Sequence, residues 1–284
     1  MPQVPVRVAE RLTVGIKRFQ PILASAKARD VNESDTVILV TDMLSEIFGY
    51  DKYSEITSEC AIRGTFCDLG VKLGGTFQFL IEVKAIGLEL KHAFTKQAID
   101  YSANQGTEWV MLTNGEVWRV YKVAFTKPID YEQVLEINLS QVSPKNVGDI
   151  ELLYHLTKEG WQKSVLGEFH MQQQALSRFS LAALVTNGPI LDVIRRELRK
   201  MSPDIKVTTD QIKGVMTQEV LKREVVEGEK AEEARKKITK FYSKALRERT
   251  AKEPKMPDEG GNEGSSSQKE GEFCEISQSP SSHH

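Results

Sequence analysis

Apolar positions recur with two periods along the first 140 residues, and the change of period delimits the elements. Between Val31 and Tyr50, Val37, Val40, Met43, Leu44 and Ile47 share one face at helical spacing, with Asn32 placed to cap and Gly49 to end the run. An amphipathic helix is predicted there. Residues 6–28 also read as helical, with Pro21 marking a break or kink. At residues 65–73 the period shortens to two: Thr65, Cys67, Leu69, Val71 and Leu73 alternate with Phe66, Asp68, Gly70 and Lys72. Gly74 and Gly75 provide a turn, and residues 77–85 alternate again, Phe79, Ile81, Val83 and Ala85 against Gln78, Leu80, Glu82 and Lys84. A short helix ending before Gly106 follows, then two strands about Asn114-Gly115 and a further strand at 133–139. The order is that of an α/β fold with a mixed central sheet flanked by helices.

The polar face of the first hairpin carries the candidate chemistry. Strand parity obliges Glu82 and Lys84 to share a face, whereas the position of Asp68 depends on the turn. A two-residue loop sets Asp68 opposite Ile81; a three-residue loop, or an equivalent bulge, sets it opposite Glu82, about 5 Å away between Cβ atoms. The odd-length loop or its equivalent is the expectation.

Two carboxylates followed by a lysine suit metal-assisted phosphodiester hydrolysis. The acids bind Mg²⁺ (or Mn²⁺) through oxygen, the ion polarises the phosphate and lowers the pKa of an attacking water, and the lysine orients that water or stabilises the developing charge. Asp68 and Glu82 would be the ligands, with the Val83 backbone carbonyl a third, and Lys84 the positioning group. The triplet alone says little, because acid-x-Lys also occurs at Glu89 to Lys91, Asp204 to Lys206 and Glu253 to Lys255. Only Glu82 to Lys84 stands on an alternating strand with an acidic hairpin partner. Taken without its partner, such a triplet is an ordinary exposed ion pair.

Across residues 32–123 these pieces resemble a known family. Asn32-Glu33 opening a helix, FGY at 48–50, Ser58-Glu59, Asp68, IEVK at 81–84, Gln97 and Tyr101 four apart on a helix, and TNG with a tryptophan at 113–118 are similar to the N-terminal nuclease domain of type I restriction enzyme motor subunits and to type IV restriction endonucleases, within the PD-(D/E)xK superfamily. The resemblance implies a Mg²⁺-dependent DNA endonuclease core with Asp68, Glu82 and Lys84 catalytic. It implies that Gln97 and Tyr101 contact DNA or support the site, and that Glu33 adds to the metal shell. Read from the residues alone, Gln97 and Tyr101 are a half-buried pair and Glu33 a first-turn acid that favours the helix dipole. Type I motor subunits continue into a helicase with a phosphate-binding GxxxxGK[ST] loop, and that loop is missing from this sequence.

Composition changes the picture in three places. Hydrophobic residues make up 40% of the 284, but no run approaches the roughly 18 apolar residues of a membrane span and the N-terminus lacks an apolar leader, so a cytoplasmic location away from membranes is expected. Cys60, Cys67 and Cys274 show no paired or ligand spacing and are expected to be free thiols. The net charge of -2 is uneven: residues 250–284 hold seven acids and three bases, leaving +2 for the remainder.

Residues 1–142 are therefore expected to form the nuclease-like domain with its N-terminal helix, 143–249 a mainly helical extension, and 250–284 a disordered acidic tail. In the extension, Pro189 is expected to start one helix, Thr209 to cap another, and Arg195, Arg196, Arg199 and Lys200 to gather on a face that could follow a phosphate backbone. The leading functional expectation is a DNA endonuclease of restriction or defence type without its own motor, cutting duplex as a homodimer and taking specificity from a restriction-system partner subunit. The competing expectation is a catalytically silent DNA-binding or assembly module that retains the nuclease fold. A third is an RNA nuclease, since the metal chemistry does not select the sugar.

Overall fold

Helix α1 (Val6–Ala28) presents Leu12, Ile16, Phe19, Leu23 and Ala26 to the core, a stripe at helical spacing. It runs on through Pro21 instead of breaking there. Pro21 is solvent-exposed, so water can reach the carbonyl that lacks its partner, while buried Phe19 and Leu23 anchor the helix on both sides. Helix α2 (Glu33–Glu46) is capped by Asn32, whose side chain accepts from the Asp35 N–H, and buries Val40, Met43 and Leu44. The chain then passes Gly49, whose φ of 84° lies in the left-handed region.

The computed structural model describes residues 3–62 and 65–252; the expected tail lies, from residue 253, outside the described residues. Six strands follow α2: β1 (Ile56–Ile62), β2 (Thr65–Leu73), β3 (Thr76–Val83), β4 (Trp109–Thr113), β5 (Val117–Ala124) and β6 (Asp130–Asn138), hydrogen-bonded in sequence order. All neighbours are antiparallel except β3 and β4, which are parallel and joined through α3 (His92–Gln105). The sheet is thus mixed, as expected. The first strand is additional, since Glu59 lies inside β1 instead of ahead of the sheet.

Sheet parity separates two buried layers. Phe79, Ile81, Val83, Met111, Trp118 and Val120 pack with α1 and α2, while Leu80, Val110, Leu112, Tyr121 and Val123 pack with Ala98 and Ile99 of α3. Cys67 departs from the expected alternation: it is buried in the α3 layer although Leu69 and Val71 belong to the other. The β2–β3 pairing stops at Leu69↔Ile81, and beyond it the Asp68 carboxylate, not a backbone carbonyl, accepts the Val83 N–H. With the ladder ended, Cys67 is released from its register. Cys60 and Cys67 are free thiols.

The described chain divides into two compact units between Ala182 and Ala183, not at residue 143. Helices α4 (Val147–Tyr154), α5 (Lys158–Gln162) and α6 (Val165–Ala175) belong to the first unit, because Ile150, Leu153, Tyr154, Val165 and Leu166 join the sheet's own core. A bidentate ion pair from Arg11 on α1 to Glu159 on α5 fastens them at the rim. Helix α7 (Arg178–Val185) spans the division. The second unit contains α8 (Gly188–Met201), with Pro189 in its first turn, then α9 (Thr209–Val215), a π-helical turn (Met216–Val220), α10 (Arg223–Val226) and α11 (Glu229–Lys252). The cap of α9 is Thr208, not Thr209: its hydroxyl accepts from the Gln211 N–H and the Gln211 side chain bonds back, a reciprocal box that Thr209, already inside the helix, cannot form.

Candidate active site

The register that places Asp68 arises from two features together. Gly74 and Gly75, with φ of 58° and 81°, make a two-residue turn closing Leu73 on Thr76. By itself that turn would set Asp68 against Ile81. Between Val71 and Lys72 the register shifts by one residue, from Lys72↔Phe77 to Val71↔Phe79, so Gln78 is the extra residue of a bulge. Continued past Leu69↔Ile81, the shifted register brings Asp68 level with Glu82.

Glu82, Val83 and Lys84 lie where β3 ends, beside the end of β4; the Lys84 N–H donates to the Thr113 carbonyl and extends the parallel pairing by one step. Carboxyl ends of parallel strands are where open α/β sheets bind ligands, because the chain leaves both strands toward the same side. Helix α2 contributes from its first turn. The Ile86 N–H donates to the Thr36 hydroxyl, tying the start of α2 to the segment after β3 and bringing Glu33 to Lys84.

Four charged side chains consequently meet. The Lys84 ammonium is 2.7 Å from a Glu82 oxygen and 3.4 Å from Glu33. It also stands 5.5 Å from the centroid of the Phe94 ring on α3. Glu82 is 2% exposed and Lys84 6%, values rare for charged residues without a specific partner. The second Glu82 oxygen, Oε2, is buried and among the described residues has no hydrogen-bond partner beyond a proton shared with the Asp68 carboxyl. Asp68 is half-buried, one oxygen engaged 2.7 Å from the Val83 nitrogen.

These surroundings set the protonation. Burial pushes the Glu82 carboxyl up to about 7; the neighbouring Asp68 and Glu33 charges add to this, and Lys84 opposes it. Burial also raises Asp68, against the Val83 N–H and Lys84, which hold it down. For Lys84, burial acts to lower the pKa, but the pairing with Glu82 and the charges of Glu33 and Asp68 outweigh it and the net direction is upward. Lys84 therefore stays charged, while Glu82 holds its proton to a higher pH than an exposed carboxyl does.

The donor set fits a hard divalent cation. It offers carboxylate oxygens and a backbone carbonyl at Val83, and with both carboxyls ionised Glu82 Oε2 lacks the partner a buried acceptor requires. Among the described residues no three His, Cys, Asp or Glu side chains are grouped at metal-holding spacing. A cation would thus rest on Asp68 and Glu82 with water completing its shell, an arrangement Mg²⁺ favours because it gives up its water reluctantly.

The remaining sequence candidates are sorted by the same geometry. Gln97 donates to the Tyr101 hydroxyl at 3.1 Å, and among the described residues no hydrogen bond links this pair to Asp68, Glu82 or Lys84. The α3 residue that reaches Lys84 is Phe94, which an acid- and lysine-centred search passes over. Ser58 and Glu59 are exposed on β1. Two motif pieces meet in the core: Phe48 of FGY packs edge-on against Trp118 of TNG-x-x-W, ring centroids 5.2 Å apart, and Tyr50 donates to the Leu156 carbonyl. Among the described residues no helix is long and apolar enough to cross a membrane. Comparison with protein-family models, with curated proteins and with solved structures gave no match to this chain.

Proposed function

We propose that the protein is a Mg²⁺-dependent DNA endonuclease with a PD-(D/E)xK-type core, acting in restriction or defence. The observation that carries this reading is the buried Glu82 Oε2, without a partner when both carboxyls are ionised, beside Asp68 and Lys84 at the carboxyl end of a parallel strand pair. Asp68, Glu82 and the Val83 carbonyl would hold the cation, with Glu33 at the margin. Once bound, such a cation polarises the scissile phosphate and makes water a better nucleophile at neutral pH. Lys84, charged and steered by Glu82 and Glu33, offers its ammonium to the phosphate oxygens as negative charge builds in the transition state. Gln97 and Tyr101 support α3 by bonding to each other, and a DNA contact through them belongs to this proposal. A homodimer cutting both strands, a partner subunit supplying specificity and a cytoplasmic location follow from the same reading.

One observation favours a second reading. Lys84 bridges Glu82 and Glu33 while Asp68 accepts the Val83 N–H, so the charges are mutually engaged, as a catalytically silent DNA-binding or assembly module of the same fold would tolerate. Supercoiled plasmid incubated with the purified chain and Mg²⁺ or Mn²⁺, beside Asp68→Ala and Lys84→Ala, separates the two. Metal-dependent nicking by the parent chain, lost in both variants, is the expected outcome; intact plasmid in every lane decides for the silent module.

A further inference from the structure

The described part of the second unit is the basic stretch of the chain. Residues 183–252 carry 17 Lys and Arg against 11 Asp and Glu, a formal +6, whereas residues 1–182 carry 19 against 22, a formal -3. The sequence singled out α8 for its bases, but there two of the four are paired internally: Arg195 with Asp192 at 2.9 Å and Lys200 with Glu197 at 2.7 Å.

Helix α11 differs. No acidic residue occurs between Ala234 and Arg247, while Arg235, Lys236, Lys237, Lys240 and Lys244 fall in that stretch. Ala231 and Ala234 are buried, and Ile238 and Tyr242 half-buried, on one face. At about 100° per residue, Lys236, Lys237, Lys240 and Lys244 project from the opposite side, in a stripe ~12 Å long. Lys236, Lys237 and Lys240 are exposed and have no ion-pair partner among the described residues. Phe241 stands beside this stripe, one turn after Lys237, with 68% of its surface in solvent. One edge of the ring meets Tyr242, centroids 5.5 Å apart, and the rest of its surface faces water beside Lys237 and Lys240.

We infer that α11 is a docking surface for a single nucleic-acid strand, with Lys236, Lys237 and Lys240 meeting phosphates and Phe241 stacking on an unpaired base. Charge complementarity selects a polyanion, and Lys236, Lys237 and Lys240, within about 6 Å along the helix, can meet neighbouring phosphates of one strand. The exposed ring selects a strand over a duplex, because only unpaired bases offer a free π-face. The inference deepens the proposed nuclease reading by naming a surface that holds substrate, and its evidence is separate from the Asp68–Lys84 site.

The test is fluorescence anisotropy of a labelled 30-nucleotide single strand and its duplex, titrated with the full chain in EDTA across a salt series. Excluding metal makes the result independent of cleavage, so an intact plasmid in the nicking assay leaves this outcome standing. Relative to the parent chain, a Lys236→Ala/Lys237→Ala/Lys240→Ala triple variant is expected to weaken single-strand binding at least tenfold and to flatten the salt slope by about 2. Phe241→Ala should weaken single-strand binding by about tenfold and leave the duplex unchanged. An Arg7→Ala/Lys17→Ala/Lys145→Ala variant removes the same charge from exposed positions of the first unit and should bind as the parent does. Equal loss in that control, an unaffected lysine variant, a Phe241→Ala variant that keeps single-strand affinity, or failure of the parent chain to bind the single strand each overturns the inference. All altered side chains are exposed, and matching thermal melts confirm intact folds.

Discussion

Asn114 and Glu82 are both buried polar residues at the same end of adjacent strands, and they have opposite fates. Asn114, 4% exposed, uses both ends of its amide: the oxygen accepts from the Glu116 and Val117 N–H groups, and the nitrogen donates to the Ile86 and Leu88 carbonyls. The indole N–H of Trp118 closes the same turn on the Gly115 carbonyl. Glu82 is as deeply buried, yet one of its oxygens meets Lys84 and the other, among the described residues, is satisfied only when a proton is shared with the Asp68 carboxyl. A satisfied polar group in the interior fixes a conformation; an unsatisfied one costs stability until a ligand completes it. By that contrast the TNG-x-x-W motif is architecture, and the IEVK motif is the one with bonding capacity left over.

The contrast can be broken most sharply at Glu82. Glu82→Gln should reduce metal-dependent nicking by about 10³-fold while leaving the melting temperature unchanged or higher above neutral pH. Normal nicking by this variant would remove Glu82 from the chemistry. Asn114→Ala should do the reverse and lower unfolding free energy by about 2–3 kcal/mol in urea titrations, because it strands two N–H donors and two carbonyls. A urea midpoint equal to that of the parent chain would show that the turn does not depend on it.

A pH dependence sharpens the contrast further. Because burial lifts Glu82 to about 7, folding favours its protonated form, so its contribution to stability is fully present below the usual carboxylate range and is lost as pH rises through about 7. The loss is about 3 kcal/mol at most. A cation binds the ionised form and must displace a proton below that pH, so Mg²⁺ affinity should fall about tenfold per unit below about 7 and level off above it. Calorimetric titrations at pH 6 and pH 8 with equal affinities would contradict this, and Glu82→Gln should abolish the difference.

Much of this was legible in the sequence where one pattern dominated. The Gly74-Gly75 and Asn114-Gly115 turns, the α2 stripe and the Glu82–Lys84 pairing all follow from local periodicity and from turn residues tolerant of positive φ. Strand β1 was not legible, because ITSECAI has no alternation and Glu59 itself adopts a φ of 48° between the Ser58↔Leu69 and Cys60↔Cys67 pairs. The membership of α4 to α6 in the first unit was hidden for a different reason: an apolar helix face announces burial but not its partner. Attention falls on α8 over α11 for another reason: the four bases of α8 are close together, and a count of bases alone leaves out the acids three residues before Arg195 and Lys200, spaced to pair with them. Phe94 and Glu33 reach Lys84 through the folding of α3 and α2 around the strand ends, a long-range event that no local spacing encodes.

The bulge at Gln78 makes the position of Asp68 a matter of counting. One residue added to a single strand slides the ladder beyond it by one step and leaves everything before it unchanged, much as one inserted letter displaces every later word in a fixed reading frame. Deleting Gln78 takes out the unpaired residue and lets Phe79 follow Phe77 directly, so Val71↔Phe79 and every pair beyond it stand as before and Asp68 stays level with Glu82. A chain lacking Gln78 should therefore nick as the parent does, and loss of nicking in it would show that the bulge acts through the bend it gives the strand and not through the count.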